Sequence, residues 1–285
     1  MSSKAPFHYP AEQKALTESI RRKKSFLCVG LDVDLDKIPP HLLGEEDPIF
    51  AFNKAIIDAT HTYAVAYKPN TAFYEAYGAA GWQSLEKTVR YIQSIDPTLF
   101  TIADAKRGDI GTTADRYAQA FFHSMDFDSV TVAPYMGRDS IEPFLAYPGK
   151  TTILLGLTSN PGSADFETIH IGKHPMYQEV MQKALTYAHS ERLMFVVGAT
   201  QTQHIAAIRQ IVPDHFFLVP GVGAQGGSLS EVCRYGLNPA VGLLVNASRA
   251  IIYAGKGINF AAAAQAAAQS LQAEMAEALE AYVKS

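Results

Sequence analysis

The chain has 285 residues, 48% of them hydrophobic and 18% charged, which excludes a disordered chain and supplies apolar material for one large core. Lys and Arg total 24 against 28 Asp and Glu, a net charge of −4, so nothing attracts the whole surface to nucleic acid or to an anionic membrane. Any anion it binds must be held by a local cluster. From the N-terminus, a helical pattern over 12–24 precedes a first apolar run over 25–31. A helix over 48–60 has a clear start, with Asp47 as N-cap and Pro48 at its first position. Apolar runs at 63–68, 99–105, 129–134 and 151–157 follow, with helical periodicity over 82–94 and 113–125 between them. After 151–157 comes the longest stretch without a pattern, 158–174, and loops of that length are often functional. A helix over 177–190, apolar runs at 193–198, 216–222 and 241–247, and an Ala-rich helix over 260–283 with Asn259 as its cap complete the chain.

The eight apolar runs are nearly continuous, as strands buried on both faces should be. Alternating with helices, they imply parallel βα units, and eight such units in this length predict an α/β fold, a (β/α)8 TIM barrel. The 12–24 helix would close the barrel floor, and the C-terminal helix would pack closely because Ala has no bulk. No repeat, linker or charge run divides the chain, so 1–285 reads as one domain. No apolar run reaches the ~18 residues needed to cross a bilayer. The first 22 residues lack the basic-then-apolar order of a secretion signal. Cys28 and Cys233 make neither a disulfide framework nor a metal-ligand set. A cytoplasmic enzyme is expected, with no membrane and no nucleic-acid partner.

In such barrels the chemistry sits at the C-terminal ends of the strands. Here those ends carry Asp32, Lys68, the stretch Asp104-Ala-Lys106-Arg-Gly-Asp109, the pair Ser159-Asn160, a glycine-rich turn from Gly221 to Gly226, and Asn246 with Arg249. Asp104 and Lys106 are two apart on a strand and so should face the same side. With Lys68 on the neighbouring strand they make an alternating array of charges, which is better evidence for a site than for stability. A salt bridge at the barrel rim is the plainer reading of the hexapeptide alone. Gly221, Gly223 and Gly226 match Gly-x-Gly-x-x-Gly, but Arg249 stands where a dinucleotide site needs an acid. A phosphate cup after strands seven and eight fits better, with Arg249 as its cation. Ser159 and Asn160 fit an ordinary Asn-Pro-Gly turn as well as a polar contact to ligand. His170 and His174 are four apart without an acidic neighbour and read as solvated loop residues. His61, Cys28 and Cys233 read as residues of the interior or its edge.

The set Asp32, Lys68, Asp104-x-Lys106-x-x-Asp109-Ile110-x-x-Thr113, Ser159, Gln225 and Arg249 resembles orotidine 5′-phosphate decarboxylase, in order and spacing, across the whole barrel. Thr-Ser-Asn-Pro-Gly-Ser and Pro-Gly-Val-Gly-Ala-Gln-Gly-Gly resemble its longer bacterial branch, and 223–228 leaves a short lid where other branches have a longer loop. The resemblance implies conversion of orotidine 5′-monophosphate to UMP and CO2 in pyrimidine biosynthesis, without cofactor or metal. It implies that Lys106 protonates C6, that Asp104 sits beside the departing carboxylate, and that Lys68 pairs with Asp104 and reaches the ribose. Asp32 would hold a ribose hydroxyl, Ser159 would read the pyrimidine edge, and Gln225 with Arg249 would hold the phosphate. Asp109, Ile110 and Thr113 would cross a homodimer interface into the partner's site. One rival is a Mg-dependent sugar-phosphate decarboxylase or aldehyde-lyase of the same superfamily, against which Lys68 stands where an acid is usual. A Schiff-base aldolase and a silent phosphate-binding barrel are the others; a lysine flanked by carboxylates is a poor nucleophile.

Overall fold

Strands that must be buried on both faces need apolar side chains at every position, and Leu193–Val197 and Leu243–Ala247 are buried throughout, Asn246 being the amide in the second. A computed structural model describes residues 7–222 and 226–282. Its barrel strands are β1 (Leu27–Gly30), β2 (Ala66–Lys68), β3 (Phe100–Arg107), β4 (Ser129–Val132), β5 (Thr151–Leu157), β6 (Leu193–Val197), β7 (Phe217–Pro220) and β8 (Leu243–Ala247). Every neighbouring pair is parallel. The sheet closes where Val29 of β1 lies opposite Ala247 of β8 on one side and Tyr67 of β2 on the other. The fold is the expected (β/α)8 TIM barrel, and each barrel strand falls on a run the sequence marks.

Helix Pro48–Thr60 starts as its sequence dictates: Asp47 Oδ1 accepts a hydrogen bond from the Phe50 N–H at 3.0 Å. Its buried face is Ile49, Phe52, Asn53, Ile56 and Ile57, the spacing of a helix packed on one side. Burying a side chain such as Phe52 contributes about 1.5–3 kcal/mol. The Phe52 ring stacks on Phe260 with centroids 5.2 Å apart, which docks the C-terminal helix Phe260–Tyr282. That helix buries Phe260, Ala264, Ala268 and Met275, and the small alanines permit close approach.

Helix Ala11–Lys23 covers the end of the barrel where the strands begin. Gln13 Nε2 donates to Glu191 O at 3.3 Å, ahead of β6, and Thr17 Oγ1 lies 3.3 Å from Ala240 O, ahead of β8. Lys23 Nζ donates to the carbonyls of His61 and Ala64, ahead of β2, at 2.9 and 3.0 Å. The floor helix is therefore held by three strand approaches, leaving the opposite end open.

Three segments differ from expectation. The helix expected over 113–125 runs Gly111–Gln119 and continues as a π turn, Ala120–Ser124, in which the Met125 N–H donates to Ala120 O at 3.1 Å. The wider turn buries both Phe121 and Phe122. The helix expected over 177–190 spans only Met176–Ala184, and left-handed His189, with φ of 60°, precedes a short 3-10 turn. The excursion at 158–174 contains a 3-10 turn, Pro161–Asp165, and a hairpin pairing His170–Ile171 with His174–Pro175. Among the described residues no helix is long and apolar enough to cross a membrane.

Candidate active site

At the open end of the barrel, Lys68 closes β2 and Asp104 lies in β3. The Asp104 N–H donates to Pro69 O at 3.0 Å and the Thr71 N–H to Asp104 O at 3.2 Å, so the backbone itself fixes these two positions side by side. Lys68 Nζ donates to Asp104 Oδ2 at 2.7 Å, and Lys106 Nζ donates to Asp104 Oδ1 at 2.6 Å. Asp104 and Lys68 are buried, whereas the Lys106 side chain is 51% exposed. The array thus has a buried base and a solvent-reaching tip. Burial alone would push the Asp104 carboxyl up and the Lys68 ammonium down. Instead, Lys68 and Lys106 hold the carboxyl well below the usual carboxylate range, and Asp104 and Asp32 hold Lys68 above the usual lysine range. Cys28 is buried, and burial pushes its thiol up to about 12, so it adds no charge beside Lys68.

Lys106 reaches Asp104 by a route that simple strand alternation does not describe. Its φ is +46°, and the β3–β4 register slips between Ala103 and Arg107. A left-handed, non-glycine residue costs about 1–2 kcal/mol, and such outliers gather where surrounding contacts enforce them. Here the Lys106 N–H donates to Thr131 Oγ1 at 2.8 Å. On the far side, Arg107 pairs with Glu75 and lies over the rings of Tyr117 and Phe121. Bulges of this kind re-aim side chains beside active sites.

A cleft of about 370 Å³ is lined by Asp32, Lys68 and Asp104 of this region together with Pro220, Gly221, Val222 and Arg249, and Lys106 is not among its lining residues. Asp32 Oδ1 is 3.9 Å from Lys68 Nζ, beyond hydrogen-bond reach, and is buried without a hydrogen-bond partner among the described residues. Asn246 Oδ1 and Ser248 Oγ, also in the cleft lining, share that condition. Buried polar atoms ordinarily have hydrogen-bond partners, so three without one in the lining of one cleft mark where a polar ligand would bond. Gly30 permits this corner to form, since a Cβ there would lie 2.6 Å from the Ser248 Cβ. Arg249 is exposed on the rim. Gln225 lies outside the described residues.

Ser159 follows β5 and is partly buried. Its backbone abuts β6: a Cβ on Gly198 would stand 2.7 Å from the Ser159 nitrogen. The excursion folds back on the same point, because Glu167 accepts from the Thr158 N–H at 2.7 Å and lies 2.8 Å from Thr158 Oγ1. Asp109 accepts from the Ile110 N–H at 2.8 Å, while Ile110 and Thr113 are exposed. Within one chain the ion pair of Lys106 is with Asp104, while Asp109 is partly buried. His170 and His174 are exposed on the hairpin, and among the described residues no three His, Cys, Asp or Glu come together to hold a metal. His61 is partly buried with Nδ1 near the carbonyls of Ile57 and Asp58, and both cysteines are buried. Sequence reasoning missed Thr131 and Glu167. A threonine in an apolar strand reads only as a good strand former, and a lone loop glutamate carries no signal.

The fold is a TIM barrel whose open end holds a lysine–aspartate–lysine array beside a polar cleft. Residues 25–268 match the Orotidine 5'-phosphate decarboxylase / HUMPS family. The orotidine 5'-phosphate decarboxylase of Flavobacterium johnsoniae is 62% identical over 265 residues, 93% of this chain and 97% of that one. The Bacteroides fragilis (strain YCH46) enzyme of the same name is 60% identical over 272 residues, 95% and 99% of the two chains. The solved OMP decarboxylase of Leishmania donovani superposes with a TM-score of 0.81 at 36% identity, covering 94% of this chain and 98% of its own. This chain belongs to the orotidine 5′-phosphate decarboxylase / HUMPS family, and its enzyme class is that of a carboxy-lyase.

Proposed function

We propose that the chain decarboxylates orotidine 5′-monophosphate to UMP, with Lys106 as the proton donor. The observation that carries this reading is the Lys68–Asp104–Lys106 array, with a buried carboxylate between two ammonium groups at 2.7 and 2.6 Å. Substrate carboxylate placed beside Asp104 meets a fixed negative charge. When the C6–carboxyl bond breaks, carbon dioxide leaves and the electron pair stays on C6, in the ring plane, where the π system cannot spread it. Stabilisation is then electrostatic, from an ammonium already aimed at the developing charge. Lys106, the solvent-reaching tip of the array, gives that carbon a proton and recovers one from water. No step calls for a cofactor.

The remaining roles follow the cleft. Asp32 accepts from a ribose hydroxyl, which the lack of a hydrogen bond at its buried Oδ1 supports, and Lys68 reaches the same sugar. Ser159 reads the pyrimidine edge, and Arg249 with Gln225 holds the phosphate at the far side. Binding energy at the phosphate can then be used to assemble the site around C6. Asp109, Ile110 and Thr113 reach into the site of a second copy in a homodimer, which the exposure of Ile110 and Thr113 supports. The setting is cytoplasmic pyrimidine biosynthesis.

The test is to follow loss of pyrimidine absorbance with orotidine 5′-monophosphate, with and without EDTA. Turnover insensitive to EDTA is expected. Turnover that needs Mg2+, or none on this substrate, contradicts the reading.

A further inference from the structure

We infer that Thr131 is a positioning residue that sets the aim of Lys106, an inference that rests on the proposed decarboxylase reading. Its hydroxyl makes two contacts with opposite roles. Oγ1 accepts from the Lys106 backbone N–H at 2.8 Å and donates to Asp104 Oδ1 at 3.2 Å. One buried atom on β4 therefore ties both the backbone of the proton donor and the carboxylate that holds its ammonium. A hydroxyl has one proton to give and lone pairs to accept with, and both capacities are used here.

The link matters because the β3 backbone is irregular at this point. Between Ala103 and Arg107 the register with β4 slips, and Lys106 takes a φ of +46°. Without an acceptor for its N–H, a left-handed lysine at the end of a strand has little to hold it there. The Arg107 carbonyl returns to the β4 partner by accepting from the Ala133 N–H at 2.8 Å. Thr131 thus pins the bulge from inside, at the residue that carries the reacting amine. Asp104 Oδ1 receives both the Lys106 ammonium and the Thr131 hydroxyl, so the carboxylate and the bulge are set by one side chain.

Thr131→Val keeps the shape and removes the hydroxyl, whereas Thr131→Ser keeps the hydroxyl. Misplacement of a reacting group by about 1 Å can cost on the order of 100-fold in rate. Thr131→Val is expected to lower kcat by about 10- to 100-fold with KM and UMP affinity near wild type, and Thr131→Ser to restore most of the rate. Unchanged kcat in folded Thr131→Val, equal losses in both variants, or a loss confined to KM overturns the inference. If Thr131→Val does not fold, Thr131→Ala carries the same comparison. If the wild-type protein has no decarboxylase activity, that reading fails separately. The crystal structure of the variant then decides: Lys106 leaving the left-handed region and Asp104 supports the inference, and an unmoved Lys106 overturns it.

Discussion

Lys106 Nζ lies 2.6 Å from Asp104 Oδ1 although the backbone between them is bulged rather than regular. The pair survives the irregularity because Asp104 is fixed from the other side, by Lys68 at 2.7 Å and by backbone bonds to Pro69 and Thr71. The ion pairs therefore differ in kind. Lys68–Asp104 is buried at both ends, whereas Lys106–Asp104 is half exposed at its lysine.

Removing Lys68 leaves a buried carboxylate with only one cation. Loss of one partner of a buried pair costs about 3–5 kcal/mol, so Lys68→Ala should lower the unfolding free energy read from urea denaturation by that much and abolish turnover. A variant as stable as wild type would show that the pair is not needed to hold Asp104.

Stability should fall in mild acid because of His215. Its ring is buried against Phe7 and Phe195, and Nε2 lies 3.2 Å from Ser190 O. Burial pushes its pKa down to about 4. Unfolded, the ring titrates near ~6.5, so the unfolded chain binds more protons throughout the interval between. Stability is then lost as pH falls through that interval, by about 2 kcal/mol between pH 7 and pH 5 from this group. His204, also held down by burial, adds in the same direction. Asp104 contributes little there, because its carboxyl stays ionised in both the folded and the unfolded chain; with its folded pKa held down, its contribution is lost only as pH falls below the unfolded value of ~3.9. Urea midpoints at the two pH values should converge in His215→Gln, and an unaltered slope would contradict the assignment.

Arg249 is exposed and lines the same cleft as Asp32, Lys68 and Asp104. A hydrogen bond to a charged group contributes about 1.5–3 kcal/mol, so Arg249→Ala should weaken UMP binding by roughly 10- to 100-fold in calorimetry. Binding of uridine, which has no phosphate, should be unaffected. An equal loss for both ligands would remove Arg249 from the phosphate end.

Asp109 tests the dimer. Lys106→Ala and Asp109→Ala are each expected to be inactive alone. Mixed and re-equilibrated in equal amounts, they should recover roughly a quarter of wild-type activity, because half of the pairs are hybrids with one intact site of two. If Asp109 serves the site of its own chain, every site carries one lesion and the mixture stays inactive.

Much of this molecule can be read without coordinates. Near-continuous apolar runs mark all eight barrel strands, since burial on both faces leaves no alternation to misread. Asp47 and Pro48 place a helix start to the residue, because capping is local chemistry. The charged residues of the array are visible because such groups are rare at the ends of apolar strands. What escapes is set by tertiary contacts. The Asp104-Ala-Lys106 spacing suggests a plain strand, whereas Lys106 is left-handed and its N–H donates to Thr131 on the neighbouring strand. The π turn at Ala120–Ser124 depends on room for Phe121 and Phe122. The excursion after β5 looks patternless because its anchor, Glu167, acts nine residues back on Thr158.

The most direct measurement is turnover of orotidine 5′-monophosphate by Lys106→Ala, with folding checked by circular dichroism. The Lys106 side chain is half exposed, and exposed ion pairs contribute only about 0–1 kcal/mol, so the variant should fold. A folded protein with no detectable decarboxylation is expected. A folded Lys106→Ala that turns over at near the wild-type rate would contradict the assignment of Lys106 as proton donor.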